Sequence, residues 1–240
     1  MNEPDDRRVP GSTLLDVVRV MDRLRSPGGC PWDAKQTHES LARYLLEEAY
    51  ETHDAIEDGD SDALREELGD VLLQVVFHAR IAAEEDPGWT IDDLAQGLVD
   101  KLVRRHPHVF ASTSASTPDE VEANWDEIKK AEKGRTSVTE GVPLGQPALS
   151  LAAKLQSRAA KSGLPASMVV PALSAAESPA SAVCAAAVEA QEADPDEAVR
   201  HVGDLLFAAV ALARELDVDP EAALRASARR FRDQLVQEGH

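Results

Sequence analysis

The chain has 240 residues, 44 acidic against 25 basic, and a formal net charge of −19 at pH 7. That balance leaves no basic stripe for a nucleic-acid polymer, although a nucleotide remains open as a small substrate. Aromatics make up 4% of the residues, Cys30 and Cys184 are far apart, and no apolar run is long enough to cross a bilayer; the expectation is an all-α, soluble, cytoplasmic protein with reduced thiols and no membrane partner.

Residues 1–11 are polar with two prolines and are predicted to be disordered. Ser12 or Thr13 can cap a helix running to about Arg25, with Leu14, Leu15, Val18, Met21 and Leu24 as its stripe. A loop punctuated by Pro27, Gly28, Gly29 and Pro31 follows and carries Trp32. That ring reads either as a core plug or as a stacking wall for a base. Thr37 or His38 opens a helix with Glu47, Glu48 and Glu51. The loop Asp58-Gly59-Asp60-Ser61 leads to a second helix, capped by Ser61 or Asp62, with Glu67 and Asp70. It runs to about Glu85, where Asp86-Pro87-Gly88 stops it.

Thr90 caps the next helix, whose predicted buried stripe is Ile91, Leu94, Leu98, Leu102 and Val103. It ends in Lys101, Arg104 and Arg105, before Pro107. Lys101 and Arg105 share a face and can clamp a triphosphate, although cations at a helix C-terminus are favourable in any protein. His106 and His108 have no third metal ligand nearby in sequence. After a polar loop at 111–118, a helix from Glu120 to Lys133 carries Trp125 and Lys129 one turn apart. That pair fits a ring on a base with an ammonium on a phosphate, or a core Trp with a solvated Lys. The domain reading is a catalytic unit at 12–133, a linker at 134–147 and a second unit at 148–240.

In an antiparallel helix pair, residues equidistant from the turn face each other. Glu51 with Glu67, and Glu48 with Asp70, are both centred on Gly59. Each acidic pair on its own helix is spaced i, i+3 and so shares a face. Four converging carboxylates repel one another, and an oxygen-binding divalent cation, Mg²⁺ or Mn²⁺, removes that cost. The plainer alternative is two solvated acidic faces. A calcium loop over Asp58, Asp60 and Asp62 fails because Ala63 and Gly69 stand where a glycine and a glutamate are needed. A di-iron bundle fails because no glutamate of the cluster has a histidine three residues on.

The second half is a faded copy. Gly69-Asp70-Val71-Leu72-Leu73 is echoed by Gly203-Asp204-Leu205-Leu206-Phe207, and the mirror recurs about Pro195, pairing Glu189 with His201. The matching positions hold Ala185, Ala186, Glu189, His201 and Asp204, an acid set too thin to hold Mg²⁺ well. This half reads as a structural or dimer-supporting copy.

Together, Glu47-Glu48-x-x-Glu51 with Glu67-x-x-Asp70, Gly29-Cys30-Pro31-Trp32-Asp33, Asp100-Lys101-Leu102, Arg104 to Phe110, and Asn124 to Lys129 resemble the MazG-type nucleoside triphosphate pyrophosphohydrolases. The resemblance is strong over about 12–133 and weaker over about 148–236. It implies an all-α fold on a four-helix core, duplicated with a degenerate second copy, working as a homodimer. It implies Mg²⁺-dependent cleavage of (d)NTPs between the α and β phosphates, for house-cleaning of nucleotide pools. Glu48, Glu51, Glu67 and Asp70 would hold the metal, with Glu47 beside it as general base or orienter of water. Lys101, Arg105, Trp125 and Lys129 match positions that contact nucleotide, and Trp32 is added as a candidate stacking wall. Two other readings remain: a non-catalytic helical, dimeric interaction module, and a base-selective dCTP or dUTP pyrophosphatase.

Overall fold

The computed structural model describes residues 11–111, 137–170 and 177–239, together with 117, 118, 120, 121, 124, 125, 128 and 132. Its secondary structure is helical throughout, with no strand among the described residues. The chain divides into two compact units, Met1–Trp125 and Asp126–His240. The predicted disorder of 1–10, most of the 111–118 loop, the start of the linker and Lys129 lie outside the described residues.

The first unit holds α1 (Leu14–Arg25), a 3-10 turn (Asp33–Lys35), α2 (His38–Asp58), α3 (Ser61–Ala82), α4 (Ile91–Arg105) and α5 (Pro107–Phe110). Its core joins Met21 of α1, Leu41 of α2, and Val76, Phe77 and Ile81 of α3, with Val17, Val18, Leu24, Tyr44, Leu72 and Ile91 packed around them. Each fully buried aliphatic or aromatic side chain of this kind contributes about 1.5–3 kcal/mol.

Thr13 sits ahead of α1 but makes no side-chain cap. The turn from Gly11, whose carbonyl accepts from the Leu14 N–H at 3.0 Å, starts the helix instead. After α1 the chain folds back over the helix end. Gly28 has φ +78°, and a Cβ on Gly29 would stand 2.2 Å from the Leu24 carbonyl oxygen. Arg25 then fixes the loop. It donates to both oxygens of Glu84, at 2.9 and 2.7 Å, and to the carbonyls of Asp33 and Gln36. Its guanidinium also lies over Phe77, 5.4 Å from the ring centroid.

The α2–α3 hairpin closes more tightly than its sequence suggests. Gly59 takes φ 69° as the C-cap of α2, and Asp60, not Ser61 or Asp62, caps α3 by accepting from the Asp62 and Ala63 N–H groups at 3.0 Å. Thr37 and Ser40 form a reciprocal capping box at the start of α2. At the far end of the hairpin His38 and His78 stack, with Nδ1 atoms 2.7 Å apart, so one ring donates and the other accepts. Burial, and the neighbouring His38, hold His78 below the usual histidine pKa.

One expectation fails here. The stripe of α4 is not buried: Leu94, Leu98, Leu102 and Val103 are 36%, 43%, 46% and 43% exposed. Only Ile91, at the start of the helix, packs on the core. The amphipathic pattern is real, but within one chain nothing among the described residues covers it.

The second unit holds α6 (Ala148–Lys161), α7 (Ala166–Val169), α8 (Pro179–Glu192), α9 (Ala198–Glu215) and α10 (Pro220–Gln237). Its small core is Val170, Ala182, Ala208 and Ala211, with Val169, Val183 and Phe207 against it. Part of the predicted linker is anchored within this unit: Val142 is buried, and Arg158 of α6 donates to the Glu140 carbonyl at 2.7 Å. The α8–α9 hairpin repeats the mirror read from sequence, since His201 Nδ1 lies 3.6 Å from Glu189. Its shortening comes out of the helices. α2 runs on to Asp58 after Glu51, whereas α8 stops at Glu192, one turn after Glu189.

Candidate active site

α2 and α3 are held in register by Gly59 and Asp60, so acids a fixed count from the turn must meet. Carboxylate oxygens of Glu48, Glu67 and Asp70 lie within 4.8 Å of one another, and all three residues are half-buried. Glu51 is exposed and stands at the edge of this set, yet its charge acts on both Glu48 and Glu67. Burial pushes the Glu48 carboxyl above the ordinary carboxylate range; Asp70 and Glu51, then Glu47, push the same way. Loss of hydration raises Glu67 likewise, assisted by Glu51, Asp70 and Glu66. The acids therefore hold more repulsion than solvated carboxylates would. An all-oxygen donor set under that repulsion fits a hard divalent cation such as Mg²⁺. Glu47 is exposed on α2, beside Glu48 in sequence.

A second grouping, His53, Asp54 and Glu57, comes from a single exposed stretch of α2 and has the form of a solvated helix face.

The other predicted site residues form two further groups. Trp32 is 53% exposed, which rules out the core-plug reading, and meets Tyr44 edge-on with ring centroids 6.4 Å apart. Trp125 is half-buried, and its Nε1–H donates to the Arg105 carbonyl at 2.7 Å. His106 stands edge-on to Trp125 at 5.1 Å and tilts against His108 at 5.6 Å. The C-terminus of α4 thus gathers Arg105, both histidines and Trp125, while Lys101 is exposed one turn earlier. Lys129 is outside the described residues.

Sequence reasoning did not single out Tyr44, Gln74 or Arg200. In the second unit, Arg200 occupies the acidic neighbourhood that the mirror defines. Its guanidinium reaches Asp204 at 3.3 Å and Glu197 at 3.6 Å, and His201 lies near Glu189 and Glu197. A pattern of acids can show a ligand set to be thin, but not which side chain swings in.

The candidate site is thus a carboxylate cluster between two antiparallel helices, and the remaining predicted residues gather in two groups, at Trp32 and at the end of α4. An all-helical fold with an all-oxygen donor set between two helices defines a candidate divalent-cation protein. Comparison with known proteins gives the family. Residues 36–110 match the MazG nucleotide pyrophosphohydrolase domain. An uncharacterised 26.1 kDa protein of Streptomyces cacaoi is 50% identical over 97% of this chain and 85% of its own length. The MazG nucleoside triphosphate pyrophosphohydrolase/pyrophosphatase of Thermotoga maritima is 45% identical over 92% of this chain and 83% of its own. The nucleoside triphosphate pyrophosphohydrolase of Escherichia coli K12 is 43% identical over 90% and 82%. The chain belongs to the MazG family of nucleotide pyrophosphohydrolases and is a hydrolase.

Proposed function

We propose that the protein hydrolyses nucleoside triphosphates, ribo or deoxy, between the α and β phosphates, releasing a monophosphate and pyrophosphate in a reaction that depends on Mg²⁺. The observation that carries the reading is the convergence of Glu48, Glu67 and Asp70, with two of the three carboxyls raised by burial and mutual repulsion. Glu48, Glu51, Glu67 and Asp70 hold the cation, and Mn²⁺ suits the same oxygens. A bound divalent cation supplies Lewis-acid charge to the phosphate oxygens.

The chain's own groups do the rest. Glu47, exposed beside Glu48, orients the attacking water or takes its proton. Lys101 and Arg105 neutralise the charge that builds on the departing pyrophosphate. Trp32 and Trp125 stack on the base, and Lys129 keeps the nucleotide-contacting role that its match to a family position implies. The physiological role is the clearing of unwanted nucleotides from the pool. The site of action is the cytoplasm, a reading supported by two unpaired cysteines and by the lack of any described helix long and apolar enough to cross a membrane. The stripe of α4, uncovered among the described residues, supports a homodimer in which a second copy covers Leu94, Leu98 and Leu102.

The test is release of pyrophosphate from a panel of (d)NTPs with Mg²⁺, comparing wild type with Glu48→Gln. The variant loses about 100-fold or more, since altering the supporting partners of a metal ligand already costs about 10–100-fold. Mg²⁺ should also raise the melting temperature of wild type but not of the variant, by mass action on the folded state. Equal pyrophosphate release by the two proteins would falsify the assignment of the site. Turnover confined to dCTP or dUTP would identify a base-selective enzyme, and no turnover of any triphosphate would point to an interaction module.

A further inference from the structure

One turn beyond the carboxylates, the same stripe of the hairpin carries two groups that no role above uses. Tyr44 precedes Glu48 by four residues on α2, and Gln74 follows Asp70 by four on α3, so each shares a helix face with the acids. Because Glu48 meets Asp70, the antiparallel register sets Tyr44 opposite Gln74. That level is about 6 Å further along the axis, at about 1.5 Å per residue.

Gln74 is only 5% exposed. Its Oε1 is buried and has no hydrogen-bond partner among the described residues. Buried side-chain acceptors are nearly always paired, so an orphan beside a substrate site marks a place for a donor from outside the chain. Across from it, Tyr44 is half-buried, with the Arg43 guanidinium 4.5 Å from its ring centroid. Trp32 completes the wall, edge-on to Tyr44 and still half exposed. In a nucleotide the ribose and α-phosphate separate the base from the β-phosphate. A base therefore lies beyond the phosphates rather than among them, at the level where the hairpin turns from acidic to aromatic and amide.

We infer that Gln74 is the base-reading residue of this enzyme, its Oε1 accepting an N–H from the base while Trp32 and Tyr44 form the wall against which the base lies. The inference rests on the reading of the carboxylate cluster as the seat of the triphosphate's cation. Its consequence is selectivity: a site that pairs a substrate N–H rejects the analogue lacking it far more strongly than an apolar pocket rejects a change of size.

The test is kcat/KM of the full-length enzyme on three pairs of triphosphates, with and without the donor. These are adenosine against purine riboside, cytidine against its 4-deamino analogue, and uridine against 3-methyluridine. Wild type should prefer the donor-bearing member of at least one pair by about tenfold or more, and Gln74→Met should lose that preference. Trp32→Ala should raise KM for both members of the pair alike. The Gln74 side-chain amide resonances should move when a non-hydrolysable donor-bearing triphosphate binds, and not with its partner. No preference in any pair, or one that survives in Gln74→Met, overturns the inference. The wild-type comparison and the resonance shift need no variant, so both stand even where Gln74→Met fails to fold. No hydrolysis of any of the six overturns both this inference and the triphosphate reading, whereas turnover without preference overturns this one alone.

Discussion

Arg25 shows how much one side chain can decide. Its guanidinium is nearly enclosed, with side-chain exposure of 3%, and it ties the Trp32 loop to the end of α3 through Glu84. Hydrogen bonds from Arg25 hold the Glu84 carboxyl below its usual 4.5, against the opposing effect of burial. A carboxyl depressed in the folded state binds fewer protons there than in the unfolded chain. Its contribution to stability is present above the unfolded value and is lost as pH falls through the lower folded one. Thermal melts from neutral pH down to about pH 3 should show that acid limb, and Glu84→Gln should flatten it. The same variant should cost about 1 kcal/mol near neutral pH, because Glu84 is partly solvated and the pair is screened. A limb unchanged in Glu84→Gln would mean that other carboxyls carry the acid sensitivity. Arg25 and Gln74 were not legible in advance: a charged or amide residue inside an amphipathic stretch gives no sign of whether it turns inward.

At the scale of the element, the α2–α3 hairpin is where sequence and structure agree best. The mirror about Gly59 is a property of helix period and chain count, and both are written in the sequence. What the count could not fix was the cap. Ser61, Asp62 and Asp60 are all good N-cap residues, and Asp60 takes the role because Gly59 in the left-handed region ends α2 immediately before it. Asp60→Ala should therefore destabilise the first unit by about 1 kcal/mol in a urea titration, while Ser61→Ala should be close to neutral. The reverse order would return the cap to Ser61. The α8–α9 hairpin keeps the mirror but puts Arg200 beside Glu197 and Asp204 and the His201 imidazole beside Glu189 and Glu197.

At the scale of the molecule, one unanswered surface among the described residues is α4, which has a helical apolar stripe and no buried residue. Solvation of so many leucines and valines costs about 25 cal/mol for each square ångström left in water, and a second copy is the cover proposed above. Sedimentation velocity should give wild type a mass near twice 25.9 kDa, with Leu98→Glu close to the single-chain value. A wild type that sediments as a monomer would remove the dimer. The sequence by itself determined the all-helical class, the hairpin register and the acids that meet in it, because period, turn glycine and residue count are local properties that packing does not alter. Only the tertiary structure decided which polar side chains lie inside, that Trp32 stays open to solvent, and that the stripe of α4 finds no cover among the described residues of its own chain. Each of those depends on what stands opposite, and a single strand of letters does not say what that is.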